Sequence, residues 1–253
     1  MIDDFTAIVH TLPGRTIRVW AIADVHIGAK EADLEGFGRF LAKVAKDQDS
    51  YIVLCGDLIN NGIKDSVTNV YDETMPPQAQ IEKAVELLTP VAAKILAAVG
   101  GNHERRTKKA VDVDVMHYIM CLLRVPELYR PNMAFIRVVL EKGTTRDHYA
   151  LMLTHGKTAN KKKQFVSVVE GVDAVITAHT HTPDVLMPSR IRFATNNKIK
   201  VHNVISLTAC SWLDPCGYSL AGLYLPQATS RPQCLELPFI NSNDIKGVPR
   251  VIW

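Results

Sequence analysis

The sequence predicts an α/β protein built on a mostly parallel sheet, and three observations carry that prediction. Short apolar runs alternate with segments of helical periodicity, the grammar of βαβ units. Several of these runs end abruptly in polar residues: Asp24-Val25-His26, Gly56-Asp57 and Gly100-Gly101-Asn102-His103-Glu104. In open α/β sheets, ligands gather at the C-terminal strand ends. No repeat, low-complexity tract or linker-like composition break interrupts the 253 residues, so one domain spanning 1–253 is expected.

Taken in order, residues 17–23 read as the first buried strand, and Gly28 opens the loop after it. Leu34, Phe37, Leu41 and Val44 recur at helical spacing and predict a crossover helix. Residues 51–55 form the second strand, closed by Gly56-Asp57. The stretch 58–77, with Asn60-Asn61-Gly62 and Pro76-Pro77, is irregular and long, which suits a lid or a dimer contact. A helix follows Pro77, with Ile81, Ala84, Val85 and Leu88 on one face. Thr89-Pro90 should break or kink it.

The apolar run 95–99 is the third strand, and two glycines turn it into the polar stretch 100–106. Residues 111–123 have helical character, closed by Pro126. Residues 135–140 and 148–153 look like paired strands around Gly143, the second ending in His155-Gly156. Residues 174–178 make another strand, ending in His179-Thr180-His181. Further strands are expected near 198–207, 218–225 and 234–237.

Composition narrows the class. An apolar share of 47% and a charged share of 22% are ordinary for a globular protein. No apolar run approaches the ~20 residues of a membrane span, so no membrane partner is expected. Met1-Ile2-Asp3-Asp4 lacks the basic-then-apolar order of a signal peptide. Five scattered cysteines (Cys55, Cys121, Cys210, Cys216, Cys234) suit neither a disulfide framework nor a structural zinc site, and fit a reducing cytoplasm. A net charge of +3 implies no partner by itself.

The strand ends together present Asp24, His26, Asp57, Asn102, His103, His155, His179 and His181. Two of the pairs are spaced i, i+2, which on an extended backbone places both side chains on one side. Carboxylate and amide oxygens mixed with imidazoles suit first-row divalent metals. Two metals need an anionic oxygen between them, and Asp57, alone after its strand, is the better bridge. Singly these motifs are weak, since Gly-Asp marks turns everywhere. As an ordered set they are not. His10, His117, His148 and His202 match no motif and read as structural or solvated.

Asp-x-His, Gly-Asp, Gly-Asn-His-Glu, His-Gly and Ala-His-x-His, each at a strand end and in this order, resemble the calcineurin-like metallophosphoesterase superfamily over residues 17–207 or so. Ala178 stands where the family usually has glycine. The resemblance implies a four-layer α/β/β/α sandwich with a dinuclear centre between its sheets. It implies that Asp24, His26 and His181 hold one divalent ion, that Asn102, His155 and His179 hold the other, and that Asp57 bridges them. Manganese comes first among the candidate metals, with iron, zinc or nickel also accepted. Two such cations ~3.5–4 Å apart activate a water and stabilise an in-line displacement. His103, next to a ligand but itself unligated, would protonate the leaving alkoxide as general acid.

Asn102, His103 and Arg105 are expected to meet the substrate, Arg105 through its planar fork. Asn60 and Glu104 are expected to stand behind the ligands. Phosphodiester hydrolysis of nucleotides or single-stranded nucleic acid is the expected activity, with a phosphomonoesterase as the alternative. The Gly-Asp-x-x-Asp-Arg-Gly of phosphoprotein phosphatases is absent; Gly56-Asp57-Leu58-Ile59-Asn60-Asn61-Gly62 stands instead. A non-catalytic binding protein on this fold would show substituted ligands, and none is substituted. The 60–90 segment is similar to that of compact members from phage and prophage genomes. Two basic clusters, Arg105, Arg106, Lys108, Lys109 and Lys157, Lys161, Lys162, Lys163, follow ligand motifs and are expected to flank the same cleft, attracting a substrate with more than one phosphate. Nothing in the sequence reads on oligomeric state.

Overall fold

The computed structural model describes residues 5–64, 66, 70–157, 169–193, 198–214, 232–240, 242 and 247–252. The chain begins with β1 (Ile8–Pro13), β2 (Ile17–Ile22), α1 (Leu34–Lys46) and β3 (Ser50–Leu54). Next come α2 (Pro77–Leu88), β4 (Ile95–Val99), α3 (Glu104–Val111), α4 (Val115–Leu122) and β5 (Tyr129–Arg130). Strands β6 (Met133–Lys142), β7 (Thr145–Thr154), β8 (Ala174–Thr177) and β9 (Asp184–Leu186) follow. The last are β10 (Ser189–Phe193), β11 (Ile199–Asn203), β12 (Ile205–Thr208), β13 (Cys234–Leu237) and β14 (Arg250–Ile252).

Two six-stranded sheets result, ordered β14-β13-β2-β3-β4-β5 and β1-β6-β7-β8-β12-β9, with β10 and β11 as a separate pair. The parallel run β2-β3-β4 is the predicted βαβ core of the first sheet. In the second sheet β6 and β7 form the predicted antiparallel pair, and β8 lies parallel to β7. Alternation along β2 sorts its side chains: Ile17, Val19 and Ala21 face the second sheet, while Ile22 faces the helices.

The inter-sheet core is completed by Val53, Ala97 and Val99 from one side and Ile136, Val138, Leu151, Leu153 and Ile176 from the other. On the outer face of the first sheet, Phe37, Leu41, Ile81, Leu88, Met116 and Ile119 of α1, α2 and α4 pack with Ile52, Leu54 and Trp212. The architecture is therefore the expected mixed α/β sandwich, two sheets flanked by helices. The sheets converge so that the C-terminal ends of β2, β3, β4, β7 and β8 all reach one edge.

Several boundaries differ from the sequence reading. The predicted helix over 111–123 starts late: Val111 is the last residue of α3, and α4 begins at Val115. Asp112 adopts a left-handed conformation (φ 56°), ending α3, and the Asp114 carboxylate caps α4 by accepting from His117 N at 3.1 Å. The stretch 100–106 is a short turn that becomes α3 at Glu104. β1 goes unpredicted because only Ile8 of its six residues is buried. The break at Thr89-Pro90 is present as a 3-10 helix, Thr89–Lys94. Within 58–77, Val70–Asp72 is a 3-10 helix, and Thr74 N donates to Gly28 O at 2.8 Å, tying the segment to the loop after β2.

The expected strand near 218–225 lies outside the described residues, as do Cys216 and Lys161, Lys162 and Lys163. Among the described residues Cys55, Cys210 and Cys234 are buried and Cys121 is exposed, all as free thiols. No described helix is long and apolar enough to cross a membrane.

Candidate metal centre

The five strand ends are interlocked before any side chain is considered. The carbonyl of Asp57 accepts from Val25 N at 2.9 Å and His26 N at 3.1 Å, and Gly56 O accepts from Asp24 N at 3.1 Å. Trp212 N donates to Asp24 O at 3.0 Å, and Ala178 N donates to His155 O at 3.1 Å. These bonds hold residues in an unusual backbone region. Asp24, His26, Asp57, His179 and His181 all have positive φ, between 49° and 75°. Asp and His tolerate the left-handed region better than most residues, but each such position still carries about 1 kcal/mol or more of strain. The i, i+2 pairs therefore converge through left-handed turns, not through the extended backbone expected from sequence.

Glu104 closes the frame from behind. Its buried carboxylate accepts from Asp57 N (2.9 Å), Leu58 N (2.7 Å), Ile59 N (3.3 Å) and Gly101 N (2.9 Å). Burial and then the nearby Asp57 charge push Glu104 up to about 7, against the pull of these backbone donors. One side chain thus fixes the turns after β3 and β4 to each other. Asn61, also left-handed (φ 47°), adds a second tie: its Nδ2 donates to His103 O at 2.6 Å and Thr107 Oγ1 at 3.0 Å. Its backbone N–H is received by Gln80 Oε1 at 2.8 Å. This network was not legible beforehand, because Asn61 looks like a turn residue and Gln80 like a helix surface position.

The donors themselves form three clusters whose ligand atoms lie within 4.8 Å of one another: Asp24, His26 and His181; Asp57, His155 and His179; and His26, Asp57 and His103. His181 Nε2 lies 3.5 Å from Asp24 Oδ1 and 3.2 Å from His26 Nε2. His155 Nε2 lies 3.3 Å from Asp57 Oδ2 and 2.9 Å from Asn102 Oδ1. His155 Nδ1 donates to Cys55 O at 2.7 Å, which turns Nε2 towards the centre. Asn102 is exposed and His181 partly so, which leaves the cluster open on one side.

Electrostatics say what the clusters want. Although burial favours the neutral form, Asp57 raises His155 to about 9. His181 is likewise raised, against burial, by Asp24. Burial works against Asp24 and Asp57 too, yet the histidines hold both carboxyls below their ordinary range. Burial, then His103, pushes His26 down to about 3. The carboxylates thus demand positive charge between themselves and the imidazoles.

Protons meet that demand only in part. Asp24 Oδ2 accepts from His179 N at 3.0 Å, but Oδ1 is buried without a hydrogen-bond partner, as is His26 Nδ1. An orphaned carboxylate oxygen facing two imidazoles fits a divalent cation.

The family model for calcineurin-like phosphoesterases matches residues 17–183, which includes every one of these donors. The chain belongs to the calcineurin-like phosphoesterase family. It is accordingly a metal-dependent phosphoester hydrolase. The crystal structure of the calcineurin-like phosphoesterase YfkN from Bacillus subtilis is similar over 94% of this chain and 90% of that one, at 11% identity and a TM-score of 0.47. A comparison with curated proteins gave no match.

Within this phosphoesterase the predicted substrate-facing residues divide. His103 borders the centre: its ring lies 4.4 Å from that of His26, and Nε2 is 3.9 Å from Asp57 Oδ2. Arg105 does not. Its Nη2 donates to Gly100 O at 2.9 Å and Pro131 O at 3.0 Å, fastening α3 to the chain behind it. Arg106 is the arginine that turns towards the donors. Asn60 acts through a different atom than expected: its side chain donates to Glu73 Oε1 at 2.8 Å, while its carbonyl accepts from His103 Nδ1 at 2.7 Å. Of the basic clusters, Lys108 pairs with Asp112 at 3.0 Å, and Lys157 is exposed.

Proposed function

We propose that this phosphoesterase is a dinuclear phosphodiesterase acting on nucleotides or single-stranded nucleic acid. Asp24, His26 and His181 would hold one divalent ion, and Asn102, His155 and His179 the other, with Asp57 between them. Manganese is the first candidate, with iron, zinc or nickel as substitutes. When bound, the two ions supply an activated water and Lewis-acid stabilisation of the phosphoryl oxygens.

The chain's own residues do the rest. Glu104 and the interlocked turns keep the ligands aimed. Asn102 lies on the exposed side, where it can touch the phosphoryl group as well as a metal. His103 stands on the leaving-group side, and since Asn60 O occupies Nδ1, Nε2 is the ring atom that meets the departing oxygen and protonates it.

What supports a diester is the charge around the centre. Among the described residues, the contacts place one guanidinium, that of Arg106, beside the donors. A diester phosphate carries one negative charge and needs no second arginine, whereas a monoester dianion is better served by two.

The test is a panel with manganese-loaded protein on bis-p-nitrophenyl phosphate and p-nitrophenyl phosphate. Preference for the diester is expected. Preference for the monoester would replace this reading with a phosphatase, and silence on both would refute catalysis on these esters. His103→Ala should keep the metal content and slow turnover by about 100-fold or more; loss of metal would instead make His103 a ligand.

A further inference from the structure

Arg105 and Arg106, adjacent on α3, point in different directions. While Arg105 is tied to backbone carbonyls, Arg106 Nη1 donates to Asn60 O at 2.9 Å and Nη2 donates to His103 Nε2 at 3.0 Å. Asn60 O also receives His103 Nδ1–H, so Nε2 carries the ring's lone pair in this arrangement. A single carbonyl therefore sets both groups, with Nε2 and Nη2 side by side at the edge of the metal donors. That carbonyl is itself positioned, because Asn60 N donates to Ile27 O at 2.8 Å and the Asn60 amide is held by Glu73.

The Arg106–His103 pair presents an edge to the metal donors. A guanidinium only donates, so Nη2 offers its N–H to whatever acceptor reaches that edge. With Nη2 and Nε2 3.0 Å apart, one oxygen set against both is within reach of each. An ester oxygen gathering negative charge is such an acceptor, and a half-buried guanidinium stabilises it more strongly than one in open water.

We propose that Arg106 binds the leaving ester oxygen beside His103 and stabilises the charge that grows on it. The assignment rests on the phosphodiesterase reading above. As the oxygen of the attacking water forms its bond to phosphorus, the ester P–O bond breaks and its electron pair goes to the departing oxygen. Arg106 donates a hydrogen bond to that oxygen and keeps its own proton. The proton the oxygen takes up comes from His103 Nε2 and is replaced by the one the attacking water releases. Diester and water become monoester and alcohol.

The experiment compares manganese-loaded wild type, Arg106→Ala and Arg106→Lys on methyl aryl phosphodiesters whose leaving groups run from p-nitrophenolate to unsubstituted phenolate. Arg39→Ala, an exposed arginine of α1 paired with Glu35, is the control for lost surface charge. Arg106→Ala should lower kcat more than it raises KM. Its loss should grow from about 10-fold on the best leaving group to about 1,000-fold on the poorest.

Lysine should recover part of the rate, and added guanidinium ion should partly rescue the alanine variant, which a merely structural arginine would not allow. A loss of equal size across the series, or one confined to KM, overturns the proposal. If the alanine variant fails to fold, the lysine variant carries the same test through its own dependence on the leaving group. Inertness of the metal-loaded wild type towards every ester would remove the underlying phosphodiesterase reading as well. A flat profile in an active enzyme removes this assignment alone.

Discussion

Two adjacent glycines, Gly100 and Gly101, should respond very unequally to the same added methyl group. A β-carbon on Gly101 would lie 2.8 Å from Asp57 Cγ and closer still to Asp57 Oδ1 and the Asp57 backbone nitrogen. That nitrogen cannot retreat easily, because Glu104 receives it at 2.9 Å. The carboxylate, or the whole turn, must shift by about 1 Å, and overpacking of this kind costs about 3 kcal/mol or more in a buried frame. A displacement of that size at a catalytic centre lowers turnover by about 100-fold. On Gly100 the same carbon meets Tyr129 Oη at 3.1 Å and Pro131 O at 3.4 Å, contacts that a few tenths of an ångström relieve. Replacing it with alanine also reduces unfolded-state freedom, which offsets part of the strain.

Gly101→Ala should therefore melt roughly 6–12 °C lower, at about 2–4 °C per kcal/mol for a chain of this size, and should take up less metal at saturation. Gly100→Ala should stay within a few degrees of wild type with full metal content. The assay is a pair of thermal melts, metal-free and metal-loaded, with metal analysis of the loaded samples. Equal melting and equal metal content in the two variants would refute the close approach of Gly101 to Asp57 as the reason for glycine there.

Glu104→Gln should weaken metal binding by about 10- to 100-fold, because the new amide NH2 must face two of the four backbone N–H donors now received by a carboxylate; unchanged affinity by competition with a chelator would sink this. Metal uptake should also be linked to protons. On the proposed assignment His155, held protonated up to about 9 by Asp57 despite its burial, must release its proton to bind a metal. Affinity should rise with pH until about 9 and flatten above it, with proton release visible at pH 7 as a dependence of the titration heat on buffer ionisation enthalpy. In the metal-free protein the sign reverses. The same raised ring contributes stability that is complete below the ordinary histidine value near 6.5 and is lost as pH rises through about 9.

Most of the scaffold was legible because it rests on local pattern. The runs at 17–23, 51–55 and 95–99 are mostly buried and bounded by polar residues, and all three became strands within a residue or two of expectation. The clustering of donor types was legible for the same reason: Asp24, His26, Asp57, His155 and His179 stand where strands end, and those ends meet at one edge. Orientation was not legible. Arg105 and Arg106 are chemically identical neighbours, and the helical rotation at Glu104 decides which guanidinium meets the site. Sequence alone places no rotation on a turn before its helix begins. Asn60 illustrates a related limit: it meets His103 through a backbone carbonyl, an atom that every residue type possesses.

The least legible feature is also the one that explains how the site is assembled. A reading of i, i+2 spacing assumes extended backbone, and in that geometry Asp24 and His26 would point the same way along a strand. Left-handed turns instead bend the chain back on itself, at a strain of roughly 1 kcal/mol or more for each of five donor residues. Such strain persists only where the surroundings over-determine it. Here the surroundings are backbone bonds: Asp57 O receives both Val25 and His26, Asp24 Oδ2 receives His179 N, and Glu104 receives four more N–H groups. These contacts need no metal. The donors are therefore aimed by the protein's own hydrogen bonds.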